Sequence, residues 1–327
     1  MLFRSVRLMV WPDELNFYYG FAKVKTGSFS DKRVWFWLTI FLCVGAFLIW
    51  FMRKNKLLVL GVIWFVVCLL LFSNWVELVA GMVGERLAFT ASAGFCLIVL
   101  VLISQWNKDK SLSKPVTYLL LLITLAFSFR TLARNSNWEN QLVLIEHDME
   151  ELTESVYANH MYALTCMNEA TTNQKLTEPQ VTKLVTNAEQ ALKRATVGYP
   201  NYFNAQFDLA RLYIMQERFA EAKVYLTNAY QIDSTNLFVL EELAKTCFDL
   251  NLPEETIKYA EKYMLSYPNN ENMYEILAYT LFKQGAYNQA QNIANNGLRY
   301  FPQSKNLNGL LVDINKQIAL MPDISKD

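Results

Sequence analysis

Two patterns of apolar and polar positions divide this chain. In its N-terminal part, apolar residues run almost unbroken from Val34 to Phe51, Leu57 to Phe72, Leu87 to Trp106 and Val116 to Phe129, with charges confined to the gaps. Each run approaches the roughly 20 residues a helix needs to cross a bilayer, the last being short unless it continues to Ala133. From Asn201 to Pro302 a different pattern recurs three times with a step of 34 residues. Leu209, Leu243 and Leu277 align, followed by Ala210, Ala244 and Ala278, and then by Tyr213, Cys247 and Leu281. Turn positions follow at Glu217, Asn251 and Gly285, and then come Phe219, Pro253 and Tyr287. Small packing positions close each unit at Ala222, Thr256 and Ala290 and at Ala229, Tyr263 and Gly297, before Ser234, Pro268 and Pro302. This pattern predicts a helix of about a dozen residues, a short turn and a second helix, with small side chains where the two cross.

In period and residue type the unit resembles the tetratricopeptide repeat, which implies an α-solenoid. Ala188, Leu192, Ala195 and Pro200 sit one period before Ala222, Leu226, Ala229 and Ser234, so they predict the second helix of an earlier unit. Its first helix is expected over Ala158 to Cys166, with an inserted polar loop around Thr171 to Pro179. Gln303 to Ile318 reads as the capping helix that a stacked array needs to cover its last apolar face. The expected fold is therefore all-α, with about four transmembrane helices followed by a tetratricopeptide-repeat α-solenoid. Residues 1–33 form an interfacial loop, 34–133 the membrane domain and 134–157 a connecting helix. The repeats occupy 158–200, 201–234, 235–268 and 269–302, and a capping helix and tail occupy 303–327.

The formal net charge is zero, but residues 1–136 carry 15 Lys and Arg against 6 Asp and Glu, and residues 137–327 carry 15 against 24. An apolar, basic front and an acidic, polar back imply two solvents. Positive loops stay in the cytoplasm. Arg53, Lys54 and Lys56, and Lys108, Lys110 and Lys114, therefore place loops 53–56 and 107–115 there, and the N-terminus and repeats extracytoplasmically, in a periplasm or lumen. Arg130 and Arg134 pull weakly the other way. Met1 to Lys25 is charged throughout and lacks a cleavable signal pattern. The acidic back half argues against a nucleic-acid partner.

Trp11-Pro12, Leu15 and Tyr18-Tyr19-Gly20, then Gly84-Glu85-Arg86-Leu87 leading into Ser92-Ala93-Gly94-Phe95, then Arg130-Thr131, Arg134-Asn135 and Trp138 entering the repeats form an ordered set. In these motifs the chain resembles the C-terminal half of the transmembrane-and-tetratricopeptide-repeat protein O-mannosyltransferases and their bacterial relatives. The resemblance implies a multi-pass glycosyltransferase that uses a polyprenyl-phosphate sugar donor on the extracytoplasmic side. Members of that family have more spans, and their catalytic acids lie in an early outer loop that has no counterpart here. The chain is thus expected to be either the C-terminal part of such an enzyme, its repeats binding or presenting the acceptor, or a non-enzymatic scaffold recruiting extracytoplasmic partners. A separate catalytic subunit fits the second case. No residue of this chain is assigned a catalytic role, and no cofactor or metal of its own.

Arg86, with Glu85 orienting it, sits where a gap meets the third apolar run. Its planar fork suits a lipid phosphate, and an interfacial anchor or a structural ion pair fits the same position. Arg130 and Arg134 either bind headgroups or join the spans to the array. On the repeats, the first helices line the inner face, which in this register carries Asn204, Phe207, Arg211, Phe238, Glu241, Lys245, Phe248, Asn272, Glu275, Tyr279 and Phe282. Of these, Asn204, Arg211, Phe238, Lys245, Asn272 and Tyr279 are the candidate contacts for an acceptor or partner. Asn159, Asn204, Asn272 and Asn306 share an early offset, as a ladder of amides for a peptide backbone or as helix caps. The two histidines, His147 and His160, lack ligand partners at metal spacing and read as surface or packing residues. Asp13-Glu14 reads as a solvated turn.

Overall fold

The computed structural model describes residues 55–71, 85–106 and 114–320, together with scattered helical positions between residues 35 and 50. Among the described residues every regular element is a helix, and the chain divides into two compact units, 1–169 and 170–327. Residues 1–33 and residues 107–113 of the cytoplasmic gap expected at 107–115 lie outside the described residues, as does most of the run from Val34 to Phe51.

The other three apolar runs form helices of unequal reach. The second gives α1 (Lys56–Leu71), the third α2 (Glu85–Trp106) and the fourth α3 (Lys114–Asn135). Only α3, prolonged by a 3-10 turn to Trp138, is both long and apolar enough to cross a membrane among the described residues. The continuous apolar parts of the others, Lys56–Cys68 and Phe89–Ser104, are shorter. At about 1.5 Å rise per residue, the 16 residues of α1 fall short of a hydrocarbon core about 30 Å thick, and Glu85 and Arg86 occupy the first turn of α2. The expectation of four such helices is thus corrected to one of full length. The run that looked shortest makes it, because the helix continues through Arg130 to Arg134, whose cation sits in the last turn where it favours the helix dipole.

Helices α1 and α2 pair antiparallel at a glycine contact. A Cβ placed on Gly94 would lie 2.8 Å from the Gly61 carbonyl oxygen, so the backbones approach only because both positions lack one. The Trp64 indole donates to the Thr90 carbonyl at 2.9 Å, and Leu58, Ile98 and Val101 close the seam. After α3, Asn140 caps α4 (Gln141–Leu152), accepting from the Val143 amide at 2.9 Å, and so starts a separate helix within the expected connecting segment. Helix α5 (Val156–Thr172) follows and contains Ala158 to Cys166. Ile145, Met149 and Leu152 of α4 pack with Ala158.

The second unit is a stack of hairpins: α6 (Glu178–Gly198), α7 (Phe203–Met215) with α8 (Phe219–Ile232), α9 (Leu237–Asp249) with α10 (Pro253–Ser266), α11 (Glu271–Lys283) with α12 (Tyr287–Tyr300), and α13 (Lys305–Ala319). Phe219, Pro253 and Tyr287 each open a second helix, and Pro253 needs no amide partner there. The aligned Leu209, Leu243 and Leu277, with Ala210, Ala244 and Ala278, are wholly buried; burying each leucine contributes about 2 kcal/mol. Helix α13 covers the end with Leu307 and Ile314 buried.

Each hairpin turns on one device. Glu217, Asn251 and Gly285 adopt φ of 58°, 55° and 78°. The next residue's amide donates back to the carbonyl five positions earlier, Arg218 to Tyr213 at 2.9 Å, Leu252 to Cys247 at 2.9 Å and Ala286 to Leu281 at 3.0 Å. These are Schellman caps, and they satisfy carbonyls that the helix end leaves open. The closing position predicted to be small departs in the middle unit, where Tyr263 is buried and its hydroxyl accepts from Asn270 at 3.0 Å. Gly297 is the tightest, since a Cβ there would meet Leu307 Cδ1 at 2.8 Å and Tyr274 Cβ at 2.9 Å.

Candidate binding face on the repeat array

The first helices of successive units, α9 with α11 and α11 with α13, pack directly on one another. The second helices meet through long side chains, Lys223 with Glu255 and the Lys262 ammonium with the Tyr230 hydroxyl at 2.8 Å. The side on which repeats approach more closely is the inside of a curved stack, so the inner face belongs to α7, α9, α11 and α13.

Three rows run across that face. The first contains Asn204, Phe238, Asn272 and Asn306, each the second residue of its helix and each exposed. The cap reading of the asparagines is overturned, and the row of amides loses one member. None of these three is a cap, because Tyr202, Asn270 and Ser304 hold the cap positions. Asn159 does not join the ladder either: it is buried, and its amide donates to the Thr153 and Ser155 carbonyls at 2.8 Å each. Phe238 is the outlier in chemistry, a phenyl ring 70% exposed on a well-packed helix.

The second row contains Phe207, Glu241 and Glu275, and the third Arg211, Lys245 and Tyr279. Lys245 is held by Glu241 at 2.6 Å and Glu242 at 3.6 Å. Burial alone would lower its pKa, but the two carboxylates win and raise it, so the ammonium stays charged. Arg211 lies 3.6 Å from Asp208 and 6.0 Å from the centre of the Phe207 ring. Tyr279 packs edge-on to Phe248 with centroids 5.8 Å apart, and the Lys283 ammonium lies 5.2 Å from its ring centre. Glu275 accepts from the Asn306 amide at 3.1 Å, which links α13 to the face. The array thus brings all six candidate contact residues onto first helices, and its period adds Asp208, Met215, Glu242, Asp249 and Lys283, which the sequence reading passed over. They fall one residue beyond the positions chosen, where a helical stripe about 100° wide still faces the same way.

Where the preceding helix α6 meets the hairpin α7–α8, Glu189 accepts from the Tyr213 hydroxyl and from Arg218 at 3.1 Å each, and from Lys193 at 2.7 Å. Burial would raise the Glu189 carboxyl, but the bonds from Lys193 and Tyr213 and the charge of Arg218 hold it below the ordinary carboxylate range. Arg218 also stacks 4.3 Å from the centre of the Tyr213 ring. This cluster fastens one unit to the next. Cys247 is buried beside Glu255, and burial followed by that negative charge pushes its thiol up to about 12; burial pushes Cys166 up to about 11. Both are therefore inert packing thiols at neutral pH.

In the first unit, Glu85 and Arg86 open α2. Arg134 joins α3 to α4, donating to the buried Asp148 carboxylate at 2.7 Å and lying 2.9 Å from His147 Nδ1. This ion pair ties α3 to α4 within the first unit, and the sequence offered no spacing rule that would have paired Arg134 with Asp148. Among the described residues no group of three or more His, Cys, Asp or Glu is placed to hold a metal.

No protein family matches the chain, and no curated protein sequence does so. Solved structures similar to it include YrrB, described as a tetratricopeptide-repeat protein with an unusual peptide-binding site, at 13% identity and a TM-score of 0.45, covering 54% of this chain and 84% of that one. MamA is similar at 14% identity and a TM-score of 0.44, covering 58% of this chain and 91% of its own. PilF of Pseudomonas aeruginosa is similar at 18% identity and a TM-score of 0.41, covering 61% and 82%. Likeness this distant carries no argument about function. The 34-residue period, the buried leucine and alanine positions and the three Schellman turns make residues 203–319 an all-α array of tetratricopeptide type.

Proposed function

We propose that this chain is a membrane-anchored repeat protein whose inner face binds an extended segment of another polypeptide. The observation that carries the reading is Phe238, 70% exposed between the amides of Asn204 and Asn272, in a face whose neighbouring charges are held in order by short ion pairs. An ordered polar frame around one accessible aromatic ring is the arrangement of an interface anchor. Anchoring is supported by α3: Leu119, Leu122, Leu125, Phe129 and Leu132 are all exposed, and none of its residues is buried. A 22-residue apolar helix left uncovered needs lipid or another apolar partner.

The orientation in this proposal, with the array on the extracytoplasmic side of α3, rests on the positive charge of Lys108 and Lys110 ahead of that helix and Lys114 at its start. The finer reading, in which the array presents an acceptor to an enzyme using a polyprenyl-phosphate sugar and Arg86 touches the lipid phosphate, rests on the sequence motifs alone. It is distinguished from a pure scaffold by whether Arg86→Ala abolishes glycosylation of a bound polypeptide while leaving its binding intact.

The binding reading is tested with peptides selected from a random display library on the full chain in detergent micelles, their affinity read by fluorescence polarisation. Phe238→Ala should weaken the selected peptides about ten-fold or more. Leu265→Ala, at a side chain 87% exposed on the second helix α10, should leave affinity unchanged. Equal affinity of parent and Phe238→Ala would sink the proposal.

A further inference from the structure

Charge is not spread evenly over the array. The first helices α7, α9 and α11 carry Asp208, Glu241, Glu242, Asp249, Glu271 and Glu275 against Arg211, Lys245 and Lys283, the capping helix α13 carries Asp313 against Lys305 and Lys316, and the second helices α8, α10 and α12 together carry equal numbers of each sign. The cations on the first helices are already engaged. Arg211 leans on Asp208 and the Phe207 ring, Lys245 sits between Glu241 and Glu242, and Lys283 lies over Tyr279. Two carboxylates share the single charge of Lys245, so that group of three stays net negative, and Glu275 is met only by neutral donors, Asn306 at 3.1 Å and Ser304 at 3.5 Å. Within the same face stand the exposed Phe238 and Met215 and the half-exposed Tyr279.

We infer that the segment recognised by this face is a cationic one, a short extended peptide in which Lys or Arg stands two residues to either side of an apolar residue. The inference rests on the binding reading given above and specifies its ligand. Charge complementarity selects the occupant: excess negative charge on the inner helices steers and registers a basic partner, and a second acidic surface would be repelled. In an extended strand, side chains alternate with a two-residue period. One apolar side chain therefore covers Phe238 while the side chains two residues before and after it, which share its face, reach Glu241 and Glu242 on one side and Glu275 on the other. Asn204 and Asn272 lie alongside to pair with the peptide backbone, each supplying a donor and an acceptor.

The test uses the full chain in neutral detergent micelles and two fluorescein-labelled nonapeptides identical except that one carries Lys and the other Glu at the positions two before and two after a central Phe. The lysine peptide should bind, with affinity falling as salt is raised, and the glutamate peptide should bind at least about ten-fold more weakly. Glu241→Gln with Glu275→Gln should weaken the lysine peptide about five-fold or more. Glu254→Gln with Glu261→Gln, the same charge change on α10, should leave it unchanged. Equal or tighter binding of the glutamate peptide, or equal loss from the two double variants, overturns the cationic ligand; if Phe238→Ala still weakens whichever peptide binds, the binding face itself stands. Loss of neither peptide on Phe238→Ala, or binding of neither by the parent, overturns both readings.

Discussion

The three hairpin turns offer a comparison internal to the molecule, because the same backbone is built on three different residues. Glu217, Asn251 and Gly285 all lie at positive φ and make the same pair of return hydrogen bonds. An L-residue other than Asn or Asp costs about 1–2 kcal/mol in this left-handed region. Nothing lies within 4 Å of the position a Cβ would take on Gly285, so Gly285→Ala changes conformational preference alone. Stiffening the unfolded chain returns about 0.4–1 kcal/mol, which leaves a net loss of about 1 kcal/mol. Glu217→Gly runs the same arithmetic backwards and should stabilise by about 0.5–1 kcal/mol. Asn251→Gly should be nearly neutral, because the Asn side chain tolerates this conformation. In a stack of repeats, stability is approximately a local sum, so the assay is amide hydrogen exchange by mass spectrometry on α7–α8, α9–α10 and α11–α12 separately. Protection that is unchanged or raised in Gly285→Ala, or lowered in Glu217→Gly, would refute the turn account.

Gly297→Ala should destabilise by about 1–3 kcal/mol through overpacking against Tyr274 and Leu307, with exchange rising first in α13. Arg134→Met should cost about 1.5–3 kcal/mol, since it removes the 2.7 Å donor of a carboxylate whose side chain has no exposed surface and leaves it the His147 ring at 3.1 Å, and Arg134→Met with Asp148→Met should recover most of that loss; both are read as exchange in α4. Because the Glu189 carboxyl titrates below its unfolded value of 4.5, its contribution is complete above that value and is lost as pH falls through the lower, folded one. Acid unfolding of α6–α8 should therefore shift to higher pH in Glu189→Gln, followed by circular dichroism. Cys247, with its thiol held up at about 12, should resist iodoacetamide at neutral pH in the folded chain and react on unfolding.

The array was legible because a repeat states its own contacts several times over. Leu209, Leu243 and Leu277 agree on what is buried, and Glu217, Asn251 and Gly285 agree on where the chain turns, even though Glu217 by itself carries no turn signal. The face proposed for binding came out of the same register, which is why Asn204, Phe238 and Asn272 fall in one row. The asparagine caps failed for a local reason, since the helices begin two residues earlier than a cap reading of Asn204 or Asn272 requires, on Tyr202 and Asn270. Hydropathy counted four runs but could not weigh length against interruption, so it ranked the fourth last where the helix through Arg134 makes it longest. Partners far apart in sequence and outside any period, Arg134 with Asp148 or Glu189 with Arg218, have no pattern to be read from.

The same contrast supports the site proposed for binding. At the aligned packing positions apolar residues are consumed by packing, and Tyr213, Tyr259, Tyr263 and Tyr274 are buried with the leucines, while Phe238 on a first helix and Leu265 on a second are exposed. Phe238 occupies an offset that holds asparagine in the units on either side and in the cap, and it gains nothing from the fold by being aromatic. A stability argument would place Asn there too, since exposed apolar surface is neutral at best and a liability toward aggregation at worst. The departure is therefore informative in a way that a buried aromatic is not. It identifies the middle repeat as the place where the face is specialised, and it implies that Phe238→Asn, which restores the repeat's own pattern, should leave exchange protection of α9 unchanged while removing peptide affinity.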